Sequence, residues 1–584
     1  MKTIKTFITG LLLSAVCLLP ISVRAAELQP FLIQKFAGIN TLAAVAEKIA
    51  TMAGVANDES FQYTISTAKS IKGVDHNGIF GVAAAADKDG DLVPILLLPI
   101  TDLMSVDVPE FSEFFDMFRS FITPKGAGRF EINTPMGTYI AVKQQNCLVV
   151  VPEDAADQIP ADAKKLFDDL DKYTVGTKLD FEKVEWDTLE ENVFGMLLLP
   201  MAMADPAAAE QFESVIGIYQ ELYKEFALIS GGIAFNPQTA DVEISGTMVP
   251  HKGSAIEKSY AGYKAQPTIF NGFRGTPENT VISMGESASM PPFDNKAMLD
   301  LSTTYWETIL EGMLEQIELE DESGELTDLV KKGIESVQKI SEAEAKRGAG
   351  DYALSFNTDG TLMFAIETVS LGEVQKLVTM IIEFVSKKMP EEGRSILGKN
   401  LKRDYVTVEG FKVSSVNIPI IETIESIAGP APSNDVDSIR DVALGVYWAI
   451  KEGNKQAIAV AVGLDPAKAE QAFRSALEKT KTPAPAQKPI GVVSVQGIGK
   501  FLQQTVYPIA VKAGDAKDMA EFKKVVDILA SAGNDAVVSL DVNVKSGSVE
   551  AGYHISGKAI QALILAVKIV VEEAGGLGPG SRDF

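Results

Sequence analysis

The clearest alternation of apolar and polar positions runs from Val442 to Lys479. Two apolar runs, VALGVYWAI and AIAVAVGL, flank KEGNKQ, and its Gly-Asn pair marks a hairpin turn between short strands. Asp465 and Pro466 then open a helix: aspartate accepts the first free amides, and proline needs no partner at the first helical position. Ala469, Phe473, Ala476 and Leu477 follow at helical spacing, so one helix face can cover the strands. A lone hairpin is marginal in water, and such a helix supplies the apolar contact it lacks.

Similar signals recur along the chain. A helix is predicted over Ala37–Ala56, then a hairpin over Gly78–Leu98 turning on Asp87-Lys88-Asp89-Gly90-Asp91. Asp107 and Pro109 open the next helix, and strands are predicted at Arg129–Asn133, Thr138–Val142 and Cys147–Val151. A strand at Val193–Met203 and a helix from Asp205-Pro206 to Glu225 come next, then a hairpin at Ile229–Val249. Beyond it the pattern predicts a strand at Thr280–Met284, helices across Lys296–Leu319 and Leu326–Ala345, and a hairpin at Tyr352–Val369. A helix at Leu371–Lys388, strands at Tyr405–Val408, Phe411–Ile418 and Ile490–Val495, and a helix across Phe501–Ala532 follow. The last hairpin, Ala536–Ser556, precedes a helix with Ile560, Leu563, Ile564, Val567 and Val571 on one face.

Hairpin–helix signals near residues 78, 229, 351, 442 and 536 predict an α+β fold of repeated antiparallel β-hairpin–helix units in two similar halves. The expected domains are 28–275 and 276–573, after a leader at 1–25 and before a flexible tail at 574–584. The leader has Lys2 and Lys5, an apolar stretch from Phe7 to Val23, and Val23-Arg24-Ala25 before a cut, the pattern of a secretory signal. Val16 is too large beside Cys17 for lipid attachment. No later stretch has the roughly 20 apolar residues a spanning helix needs. The protein is therefore expected to be exported, to the periplasm or the medium.

Charge and cysteine use narrow the function. The formal charge is −26, and loss of Lys2, Lys5 and Arg24 with the leader takes it to −29. Such a surface repels nucleic acid. Cys147 remains as the one cysteine, so no intramolecular disulfide can form, and its apolar neighbours suggest a buried small side chain.

Catalytic and metal-binding patterns are incomplete. His76, His251 and His554 are isolated, and a structural zinc site would also want cysteines. Asp87–Asp91 has alternating carboxylates, but its glycine stands fourth, not sixth as in an EF-hand loop, and Leu98 takes the place of the closing glutamate. The acidic Glu315–Glu325 reads as a solvated connection. Gly497-Ile498-Gly499-Lys500 lacks the upstream glycine and the Ser/Thr of a phosphate loop, and Gly285-Glu286-Ser287-Ala288-Ser289 misses the nucleophile elbow by its last residue. No cofactor is expected.

The order GIFGVAAAADKDGDLVPILLLPITDL, FEINTPMGTYIAVKQQNCLVVVPEDA and the later hairpin blocks resembles large, uncharacterised exported bacterial proteins of the planctomycete type. The resemblance spans nearly the whole mature chain and implies export and architecture, with no activity and no functional residues. The expected role is non-enzymatic binding or envelope structure, with a protein partner or a hydrophobic small ligand. One alternative is a carrier of a lipid or other apolar ligand, with Phe111, Phe114, Phe115, Phe118 and Phe121 as a pocket wall. The other is a hydrolase with dispersed residues.

Overall fold

The computed structural model describes residues 29–573 apart from 87–91, 108–111, 136, 191–219, 221–222, 277, 290, 292–323, 389–390, 429–441, 454, 486–487, 509–510, 512–515 and 546. The expected leader and Cys17, the Asp87–Asp91 loop, Phe111, the strand at 193–203 and the helix start at 205–206 lie outside these residues. So do the helix across 296–319, the acidic Glu318, Glu320, Asp321 and Glu322, and the tail from 574.

Two compact units are present: one of residues up to 254 with 547–557, the other of 255–546 with 558–574. The first holds β1 (Pro30–Phe36), β2 (Phe80–Ala86), β3 (Leu92–Leu98), β4 (Ile122–Gly126), β5 (Arg129–Thr134), β6 (Gly137–Gln144), β7 (Cys147–Pro152), β8 (Val175–Asp180), β9 (Phe226–Phe235) and β10 (Val242–Pro250). The second holds β11 (Lys264–Ala265), β12 (Thr280–Ser289), β13 (Ala349–Asn357), β14 (Leu362–Glu367), β15 (Leu401–Val408), β16 (Phe411–Pro419), β17 (Ala443–Lys451), β18 (Ala457–Gly463), β19 (Gly491–Ser494) and β20 (Val537–Lys545). A last strand, β21 (Ser548–Ile555), belongs to the first unit.

In the first unit the antiparallel ladder runs β4-β5-β6-β7-β3-β2-β1-β8-β9-β10-β21. In the second it runs β15-β16-β17-β18-β14-β13-β12-β19-β20, with β11 on the far end of β12.

These ladders correct the expected fold. The 21 described strands pair in these antiparallel ladders, mostly as sequential hairpins, and no repeat of hairpin–helix units is shown. A hairpin satisfies its inner backbone groups but leaves two open edges. Here neighbouring strands close many of those edges: β1 lies between β2 and β8, and β18 bridges β17 to β14. Helical cover follows no common rule either. The helix Pro466–Lys479 lies on its own hairpin, β17–β18, whereas Leu371–Lys388 packs along the preceding helix Glu325–Arg347.

The most apolar described strands sit mid-ladder and are buried on both faces. On β3 and β7, Leu97 and Val149 join the core of Ile33, Ala83, Phe167 and Leu170, while Leu96, Leu98, Leu148 and Val150 face a second cluster with Ile122 and Ile132. That accounts for the near-continuous LVPILLL and CLVVV without invoking a lipid. Among the described residues no helix is long and apolar enough to cross a membrane.

Candidate functional site

The proposed phenylalanine wall is only partly described. Phe111 and the side chain of Phe114 lie outside the described residues. Phe118, near the end of the helix Ser112–Arg119, packs on the cluster of Leu103, Ile122, Ala141 and Leu148. Phe115 is half-buried, and Phe121 is 37% exposed beyond the helix.

A cleft of about 360 Å³ lies elsewhere, at the β6–β7 turn, and none of these rings lines it. Gln145 takes a left-handed backbone, φ 51°, to close the turn. Gln144 anchors it: its Nε2 donates to Pro160 O at 2.7 Å and its Oε1 accepts from Ala163 N at 2.9 Å. Cys147 Sγ–H donates to Gln144 O at 3.0 Å. Burial pushes this thiol up, and the pull of Lys164 only partly offsets it, with Asp162 adding to the rise. A thiol held protonated is a poor nucleophile, and no histidine lines the cleft to act as its base. His76 and His251 are instead hydrogen-bonded to the carbonyls of Ile71 and Tyr223.

The near-motifs are structural. Gly285–Ser289 lies within β12, extended and paired to β13. Gly497–Lys500 lies inside the helix Val495–Phe501, capped by Ser494 Oγ, which accepts from Gly497 N at 2.9 Å. An added Cβ at Gly497 or Gly499 would overlap the backbone of Thr280 or Ala530. These glycines allow close packing and leave no room for a phosphate there.

The second unit contains a buried polar group, and it too is structural. The segment from Thr268 to Gly275 crosses β13, where Asp351 accepts from Thr268 Oγ1 at 2.6 Å and from Ile269 N at 2.9 Å. Burial raises the Asp351 carboxyl despite both bonds. Arg274 lies over Gly285 and donates to Pro489 O at 2.8 Å. The rings of Phe270 and Phe273, both fully buried, fix the same segment to the core. Among the described residues no three His, Cys, Asp or Glu side chains are grouped as a metal set would be.

The remaining candidate is an apolar sheet face in the first unit. Ile233, Ile244 and Tyr553 stand side by side on β9, β10 and β21, exposed by 44%, 40% and 50%. Along β9 this face carries Ile229, Gly231, Ile233 and Phe235, and along β10 Val242, Ile244, Gly246 and Met248. The opposite face carries Ser230, Gly232, Glu243, Ser245 and Thr247. Large apolar side chains of the first face are thus left in solvent, while Ala234 on the opposite face packs on the core of Ile33 and Phe167.

No protein family, curated protein or solved structure matches this chain.

In the sequence this face falls within the predicted Ile229–Val249 hairpin. Two signals in the sequence mark it: the strict alternation of Ile229, Ile233, Ile244 and Met248, and a glycine on that face of each strand. Neither shows that the face stays uncovered.

Proposed function

We propose that this protein is exported and acts by binding, with an apolar ligand as its cargo. The uncovered row Ile233–Ile244–Tyr553 carries this reading, because exposed apolar area of that kind is costly in water unless something occupies it. The thiol at the Cys147 cleft is held protonated, which supports binding over covalent catalysis there. The apolar Phe7–Val23 stretch behind Lys2 and Lys5, and the likeness to exported planctomycete-type proteins, support the address.

The test is native mass spectrometry of the protein from its own source, with solvent extraction and N-terminal sequencing. The expected result is a chain beginning after Ala25 that carries a stoichiometric apolar adduct. A bare chain or a clean oligomer would replace the carrier reading with a structural or protein-binding one.

A further inference from the structure

We propose that the cleft at the β6–β7 turn binds a small linear zwitterion of dipeptide length, with Asp75 at its ammonium end and Lys164 at its carboxylate end. This site is separate from the apolar row, and neither reading depends on the other.

The floor follows from the register. Leu98 on β3 pairs with Leu148 on β7, so the next residues outward, Pro99 and Cys147, lie side by side. On the β2 flank of Pro99 lies Gly78, where an added Cβ would meet Pro99 Cβ at 2.6 Å. From Cys147 through Pro99 to Gly78 the floor spans two strand spacings, about 10 Å. Ile79, Leu97 and Pro99 make it apolar.

The two ends of this floor carry opposite charge. At the Gly78 end, Asp75 N donates to Pro99 O at 2.7 Å and Gly78 N donates to Asp75 O at 2.9 Å, which fixes the loop in place. Asp75 Oδ1 accepts from Asn77 N at 3.0 Å, and Oδ2 has no partner among the described residues. At the Cys147 end stand Asp162 and Lys164. Asp162 is drawn to Lys165 Nζ at 3.8 Å, whereas Lys164 has no ion pair or hydrogen bond among the described residues. The surplus at this end is therefore positive, and the Cys147 thiol feels the pull of Lys164 more than the push of Asp162. Gln145 and Asn146 add amide donors beside it. Lys143 also lines the cleft, but it pairs with Leu148 and shares that residue's face, opposite to Cys147.

Charge and length select the ligand. A simple anion would face Asp75 on a chain of net charge −26, and a simple cation would face Lys164. An extended chain advances about 3.5 Å per residue, so the charged ends of a dipeptide stand about 7 Å apart. With a hydrogen bond of about 2.8 Å at each end, that length reaches across the floor. A single amino acid falls short and a tripeptide overshoots. The volume, about 360 Å³, lies near the small end of ligand clefts. Gln144 already ties Pro160 and Ala163 to the turn, so binding has little ordering left to do.

The experiment titrates the mature chain with L-alanyl-L-alanine by calorimetry. N-acetylation or C-amidation of the peptide should each weaken binding by about tenfold or more, as should exchange for alanine or trialanine. Asp75→Asn, which keeps an oxygen for Asn77 N, should erase the preference over the acetylated peptide. Lys164→Gln should erase the preference over the amide. Saturating dipeptide should also slow iodoacetamide labelling of Cys147. If Asp75→Asn fails to fold by circular dichroism, the exposed Lys164→Gln and the blocked peptides still decide the matter. No binding at millimolar dipeptide, or wild-type affinity in Lys164→Gln, would overturn the site. Equal binding of the blocked peptides would overturn the zwitterion, and unchanged labelling of Cys147 would place the ligand elsewhere. None of these results bears on an apolar cargo at the β9–β10–β21 row.

Discussion

Phe167 and Gly81 provide a test of how the first unit's core is built. The fully buried Phe167 ring rests on the backbone of β2 at Gly81, and an added Cβ there would lie 2.9 Å from Cε2 and closer still to Cζ. Gly81→Ala should therefore overpack the core and cost about 1–3 kcal/mol. Phe167→Ala should cost about 3–5 kcal/mol through lost burial and a cavity. The double variant should lose less than the sum, because the new methyl enters space the ring has left. In the Phe167→Ala background, Gly81→Ala should become neutral or stabilise by up to about 1 kcal/mol, as the strand sheds glycine's entropy. The predicted coupling is about 2–3 kcal/mol. Urea unfolding can be read from Trp186, which lies in the first unit, after Trp306→Phe and Trp448→Phe remove the other two tryptophans. A single-unit reporter is needed because two units need not unfold together. Additivity within about 0.5 kcal/mol, or a neutral Gly81→Ala in the wild-type background, would refute the contact.

Three further outcomes are expected. Burial raises Asp351, so the folded state keeps a proton that the unfolded chain has released; the stability this group contributes is fully present below the ordinary carboxylate value of about 3.9 and is lost as pH rises through the raised one. Asp351→Asn should flatten that dependence in pH-resolved thermal melts, and an unchanged slope would count against it. Iodoacetamide should modify Cys147 more slowly than free cysteine near pH 8, with Lys164→Gln slowing it further and Asp162→Asn speeding it; fast wild-type labelling would contradict the raised thiol. Asp465 accepts from Lys468 N at 3.2 Å, so Asp465→Ala should lower the stability of the second unit by about 1 kcal/mol in denaturant titrations, and no change would show the cap to be idle.

Local chemistry made parts of this fold legible. Asp465 and Pro466 act within one turn, and the helix Pro466–Lys479 buries the four residues its spacing predicts: Ala469, Phe473, Ala476 and Leu477. Glu409 and Gly410, both with positive φ, turn β15 into β16 where the sequence places the break. Pairings distant in sequence left no such mark. β1 reaches β8 across about 140 residues, and its own pattern is spoiled by Lys35, which is 3% exposed only because its ammonium reaches Leu170 O and Asp171. Hairpins alone therefore suggested separate units, where edge satisfaction built long ladders.

A periodic apolar stripe also leaves open which of its sides meets the protein. In the helix Gly557–Glu573 the spacing predicts an inward face of Ile560, Leu563, Ile564, Val567 and Val571. The helix instead buries Ala559, Ala562 and Ala566, while Leu563 and Val567 remain 42% and 60% exposed. Alanine lets a helix approach more closely than leucine does, so small residues can win the contact over a more apolar neighbouring arc. The same ambiguity affects β9 and β10, whose alternation identifies an apolar face without saying what covers it. What separates the two cases is the backbone. The helix contact needs only its alanines, whereas Gly231 and Gly246 give up side chains in mid-strand, where glycine costs stability. On the opposite face Tyr173 accounts for such a sacrifice, and on this face the close approach of the two strand backbones does, since an added Cβ would lie 2.9 Å from Ser245 O at Gly231 and 3.2 Å from Ser230 O at Gly246.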